Sequence, residues 1–181
     1  LGIRKTANTQ VDIDYDIQVF DSPGKMRDAL REKNRVANKS RMIAGYCYDW
    51  VSKKDRNLYD IILPGGFKAQ WNFSDTATWA IDDDSFDQVG CIHTSQGLEF
   101  DYVGIIIGKD LIFKDGEVQT DYLARAKTDT SLKGIKSSRN YALADRIIRN
   151  TYRTILSRGQ KGCFIYCEDK ALGDYIKRQL H

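Results

Sequence analysis

The chain has 181 residues, of which 41% are hydrophobic and 29% charged; such a chain buries one core and forms a single domain, which excludes full disorder. The formal net charge of +3 does not demonstrate a nucleic-acid partner, because strong phosphate binding needs positive charge gathered on one surface. No apolar run reaches the roughly 18 residues of a membrane span and no secretory signal opens the chain, so a cytoplasmic location is expected, with no membrane partner.

Leu1-Gly2-Ile3 reads as the start of a trimmed piece with something missing upstream. Residues 17–20 form a short strand candidate, after which Asp21-Ser22-Pro23 supplies capping side chains and a proline suited to a first helical turn. A helix is predicted over 23–35, with Met26 and Leu30 facing inward and its basic residues facing water. Residues 41–47 read as a buried strand, and 49–57 as a polar connection in another strand-to-helix transition. The stretch 67–73 alternates like a strand, with an irregular exit over 72–78. Apolar runs 89–92 and 102–107 read as buried strands, and 109–137 as an insertion that includes a hairpin. Leu143, Ile147, Ile148, Tyr152 and Ile155 share one helical stripe, which predicts a helix over 138–157. A strand over 163–167 and an amphipathic helix over 170–179, with Leu172, Tyr175 and Ile176 inward, close the chain. Strands alternating with helices favour a mainly parallel sheet covered on both faces, an α/β fold.

The cysteines at 47, 91, 163 and 167 read as buried, reduced thiols; Cys163 and Cys167 share a strand face and lack the CxxC spacing of a zinc clasp. No metal-binding set is evident. Function in α/β sheets collects at strand ends, which draws attention to the polar turn Ile92-His93-Thr94-Ser95-Gln96-Gly97-Leu98-Glu99-Phe100-Asp101. Gly97 lets a backbone approach a phosphate or take a strained turn, or is a plain turn glycine. The second such segment is Asn150-Thr151-Tyr152-Arg153-Thr154-Ile155-Leu156-Ser157-Arg158-Gly159, leading into the last strand. Arg158 could stabilise charge on a substrate, or could satisfy the end of the preceding helix with Gly159 as its cap. Trp50, Trp71, Phe73 and Trp79 invite a base-stacking platform, but core packing is the expected use. Lys127, Lys133, Lys136 and Arg139 form either a phosphate-facing patch or a solvated surface.

The first segment resembles the fifth conserved motif of superfamily 1 helicases, and the second their sixth. With Trp79-Ala80-Ile81-Asp82, Leu132-Lys133-Gly134-Ile135-Lys136 and Tyr166-Cys167-Glu168-Asp169, they most resemble an uncharacterised bacterial family of Schlafen-like P-loop ATPases grouped with DNA/RNA helicases. The likeness covers nearly the whole chain, but only the C-terminal part of that family. It implies that residues 1–181 are a second, RecA-like domain: a three-layer P-loop NTPase fold lacking its own P-loop. It further implies that Arg158 is an arginine finger, that Gln96, Gly97 and Glu99 contact ATP, and that His93, Thr94 and Ser95 face single-stranded DNA or RNA. ATP and Mg2+ would then act in the full-length protein, the Mg2+ held mainly by a missing N-terminal RecA-like domain. This chain alone would bind neither tightly and would be inactive. The rival is a non-hydrolysing nucleic-acid or protein interaction module on the same fold. Two sequence decoys fall outside this scheme: Gly104 to Asp110 has the wrong spacing and end residue for a P-loop, and Phe164 to Asp169 follows the sixth motif rather than preceding it.

Overall fold

The computed structural model describes residues 15–73 and 78–180, with the side chains of Lys136 and Ser137 left out. Residues 74–77, within the expected irregular exit, lie outside the described residues. Strand β1 (Asp16–Phe20) leads into helix α1 (Pro23–Ala37), whose first turn is closed by the Ser22 hydroxyl accepting from Lys25 N–H at 3.3 Å. Met26 and Leu30 are buried, as their spacing predicts, and Asn38 ends the helix at a left-handed φ of 47°. Strand β2 (Ser40–Ala44) is buried throughout.

No helix then follows. Strands β3 (Ile61–Leu63) and β4 (Phe67–Ala69) pair antiparallel across a tight turn at Pro64–Gly66, a small sheet separate from the main one. The expected strand-to-helix transition is thereby corrected, and strand 67–73 shrinks to one arm of this hairpin. Strand β5 (Val89–Gly90) and strand β6 (Phe100–Ile107) come next. The hairpin expected after β6 is β7 (Leu111–Lys114) and β8 (Glu117–Thr120), turned at Asp115 and Gly116 with φ of 54° and 83°. The long helix expected over 138–157 divides into α2 (Ile135–Ser138) and α3 (Tyr141–Leu156). Arg139 takes a left-handed φ of 52° and Asn140 caps Leu143 N–H at 3.2 Å, so a side-chain cap wins over apolar periodicity. Strand β9 (Gly159–Cys167) and helix α4 (Lys170–Leu180) complete the order.

The main sheet has five parallel strands in the order β1-β9-β6-β2-β5. Alternation along the strands divides the core. Met42, Ile106, Phe164 and Tyr166 pack with Met26 and Leu30 of α1, while Ile43, Ile105, Cys163 and Ile165 pack with Ile148 and Tyr152 of α3 and Leu172 of α4. Helices on both faces of a parallel sheet give the three-layer arrangement of a RecA-like fold. Among the described residues no helix is long and apolar enough to cross a membrane.

Candidate functional site

The amino ends of β6 and β9 form a shared rim. Phe100 pairs with Gly159 and Tyr102 with Gly162, so β9 carries an extra residue across that step. Backbone crowding requires the glycines: a methyl at Gly162 would lie 2.6 Å from the Asp16 carbonyl, and one at Gly159 would strike the Gly162 carbonyl. The bulge turns Gln160 toward Glu99, whose carboxylate accepts at 2.7 Å, and Lys161 toward Asp101 at 2.8 Å. The hydrogen bond that Lys161 donates to Asp101 raises the Lys161 pKa above its ordinary value.

Arg158 sits in this rim between α3 and β9, half-buried. Its N–H donates to Ile155 O at 3.3 Å and its carbonyl accepts from Phe100 N–H at 3.4 Å. The side chain is uncommitted: Nε is buried without a partner, and the guanidinium enters no ion pair among the described residues. The helix-cap alternative is not the arrangement found, since Gly159 is extended at the start of β9 rather than left-handed and Arg158 donates no side-chain bond to α3. Gly97 has φ 75°, is exposed, and a methyl there would meet nothing within 4 Å. Gln96 and Glu99 are exposed beside it.

Residues 91–99 cross from the carboxyl end of β5 to the amino end of β6, so the sequence-predicted residues divide between two ends of the sheet. Ser95 is fully buried and its hydroxyl donates to Ile92 O at 3.1 Å. The half-buried Thr94 hydroxyl accepts from Cys91 N–H at 2.7 Å and donates to Cys91 O at 3.1 Å. Both hydroxyls shape the turn. His93 is exposed at the carboxyl end, its ring 6.0 Å from that of Tyr46.

The crossover is braced from below by residues that sequence reasoning did not assign to the site. Trp79 is buried edge-on to Phe100 at 6.1 Å, and a methyl at Gly90 would lie 2.5 Å from its ring. The Trp79 carbonyl accepts from Ser85 Oγ at 2.6 Å and from Nε of the buried Arg41 at 3.3 Å. Arg41 also donates to Asn34, Asn38, Ser40 O and Asp82 O, so its charge is fully solvated by protein although burial lowers its pKa to about 10. Trp79 had stood among the motif residues; Arg41, inside an apolar strand, was the available signal for such a node. Gln160 and Lys161 carried no signal beyond ordinary loop polarity.

Both decoys are structural. Asp110 is buried between Arg125 at 3.1 Å and the Tyr152 hydroxyl at 2.5 Å. Glu168 accepts from Tyr48 OH at 2.7 Å, and Asp169 caps α4 through Leu172 N–H at 2.7 Å while accepting from Phe113 N–H at 3.1 Å. Among the described residues no His, Cys, Asp or Glu group is placed to hold a metal ion. All four cysteines are free thiols, and burial pushes Cys163 and Cys167 up to about 12. Trp71 and Trp79 are core residues; Trp50 is half-buried, and Phe73 lies 4.4 Å beneath the Arg56 guanidinium. Lys127, Lys133 and Arg139 are exposed, and the Lys136 side chain lies outside the described residues.

Residues 1–169 match the model of the Schlafen group 3 DNA/RNA helicase domain. An uncharacterised protein of Saccharomyces cerevisiae, YPL245W, is 26% identical over 172 residues, covering 91% of this chain and 37% of that protein. The chain therefore spans well under half the length of this relative, whose yeast source leaves a bacterial assignment without support. No solved structure matches significantly.

Proposed function

The chain belongs to the Schlafen group 3 DNA/RNA helicase domain family, and from that premise we propose that it is the C-terminal motor domain of a nucleic-acid-dependent ATPase. Arg158 and the turn carrying Gln96, Gly97 and Glu99 complete an ATP site whose phosphate-cradling loop belongs to an N-terminal RecA-like domain of the same protein. The observation that supports this reading is the uncommitted Arg158 guanidinium on the rim where Phe100 and Glu99, the end of the Gly97 turn, meet Arg158 and Gln160.

A domain that holds its own ligand in a parallel sheet does so at the carboxyl strand ends. Groups at the amino ends suit a surface lent to a neighbour. A planar guanidinium there stabilises negative charge spread over phosphate oxygens in the transition state, and Gly97 lets the backbone approach without a side chain. Glu168 and Asp169 serve structural hydrogen bonds, and the companion domain holds Mg2+. His93, at the far end of the crossover, faces single-stranded DNA or RNA, so residues 91–99 link the strand to the ATP.

The test is Arg158→Ala in the intact protein. Turnover should fall by roughly a thousand-fold or more, the worth of an arginine finger, while nucleotide affinity changes little. Unchanged turnover removes the role. An intact protein that binds nucleic acid and never hydrolyses ATP is instead an interaction module.

A further inference from the structure

At the carboxyl ends of β2 and β5, opposite the rim of Arg158, lies a cavity of about 610 Å³. We propose that it captures a nucleobase of a single strand, with the flanking phosphates on Lys53 and Lys54. The inference rests on the reading of the chain as a nucleic-acid-binding domain and adds the group that binds and the residues that hold it.

The volume lies in the range of small-ligand sites and admits a base with its sugar. Its walls are aromatic. Tyr46, Trp50 and Trp71 meet edge to face, Tyr46 with Trp71 at 5.4 Å and Trp50 with Trp71 at 6.2 Å, and the His93 ring closes one side against Tyr46. The ring faces of the half-buried Trp50 and Tyr46 stack on any base, a sequence-tolerant interaction, with Trp71 buried behind them. The Nε1 donors of Trp50 and Trp71 are buried without partners among the described residues, an arrangement that folded proteins keep rare.

The electrostatics select the same ligand. Lys53 and Lys54 are exposed at the mouth, Lys53 with its ammonium 4.7 Å from the Trp50 ring. The acid in the wall, Asp129, is already paired with the buried Arg125 at 2.9 Å, so it does not repel a phosphate as a free carboxylate would. Asn72 and Thr130 add polar groups for a base edge. An acidic peptide would suit the lysines but would leave the flat walls unused.

The position also has a consequence. The pocket is built from the β2–β5 connection, the 128–131 loop and His93, and His93 belongs to the same crossover that ends at Gly97 and Glu99. A base seated against His93 therefore bears directly on the segment that reaches the Arg158 rim.

The test compares, in the intact protein, binding of a fluorescent single-stranded oligonucleotide with a strand of equal length and charge whose bases are replaced by abasic sites. Wild type should bind the normal strand about ten-fold more tightly, within the range for one stacked base. Trp50→Ala should remove that preference, and Trp50→Phe, which keeps a ring, should restore most of it. Lys53→Glu with Lys54→Glu, both on the exposed surface, should weaken both strands and flatten the salt dependence. Equal wild-type binding of the two strands, or a preference that survives Trp50→Ala in a folded variant, overturns the pocket. A nucleoside monophosphate that competes as well as the oligonucleotide makes this a free-nucleotide site and overturns it too. Failure of the motor reading is distinguishable: Arg158→Ala should keep the base preference, and a protein with that preference but no ATP turnover loses the motor and keeps the pocket.

Discussion

Gly97 and Gly159 look alike in sequence and carry different burdens. A side chain at Gly159 would collide with the Gly162 carbonyl inside the β6–β9 pairing, so that glycine is required by packing. At Gly97 the space is empty and only the backbone φ of 75° disfavours an L residue. Gly97→Ala should therefore cost only about 1 kcal/mol in denaturant unfolding, the strain of a left-handed residue. ATP turnover of the intact protein should fall by about ten-fold or more, because the methyl occupies the space through which the turn approaches phosphate. Equal small effects on both readouts would mean that Gly97 serves the turn alone. Gly159→Ala should instead fail to fold or unfold far more readily. The sequence could not separate these glycines, since what differs is the bulge at the start of β9, which folds the Gly162 carbonyl back against Gly159.

Among the elements, the buried network behind β6 ties helix to loop. The Tyr152 hydroxyl of α3 accepts from Gly108 N–H at 3.0 Å and donates to Asp110 at 2.5 Å, while Arg125 joins Asp110 to Asp129 on the pocket wall. Burial first, then the charge of Asp110, raises the Tyr152 pKa well above its ordinary value, so the phenol stays protonated and keeps donating. Tyr152→Phe should cost about 1–3 kcal/mol, the penalty for a buried N–H and carboxylate oxygen left unpaired. Chemical denaturation measures it, and a change within a few tenths would show the network to be slack. This scale is also where sequence reading divides. Helix α1, the strands β6 and β9 and helix α4 were legible because their signals are local: Met26 and Leu30 one turn apart, unbroken apolar runs, and Leu172 with Tyr175 and Ile176 on one stripe. The β3–β4 hairpin and the break at Arg139 were not, because Ile61–Leu63 is a run too short to announce itself and Asn140 outweighs a periodic stripe. Of the site, the turn and Arg158 were legible as motifs. The burial of Ser95 and the hold of Arg41 on the Trp79 carbonyl were not, because they depend on which segment lies beneath the crossover.

At the scale of the molecule, two surfaces lie at opposite ends of one sheet, joined by the crossover 91–99. The described residues bury a core on both faces of that sheet, so this domain should fold without a companion. A buried core does not make a complete catalyst. The rim offers a guanidinium and an open turn but no GxxxxGK[ST] loop in the sequence to cradle phosphates. The chain expressed alone should therefore unfold cooperatively, as followed by circular dichroism, yet hydrolyse ATP no faster than a buffer blank. The intact protein should turn over ATP and do so faster when single-stranded nucleic acid is added. Adding the N-terminal half to the isolated chain at high concentration should restore part of that turnover, because the arginine then arrives by docking. Hydrolysis by the isolated chain, abolished by Arg158→Ala so that a contaminant is excluded, would place a whole active site within these residues and end the divided-site reading.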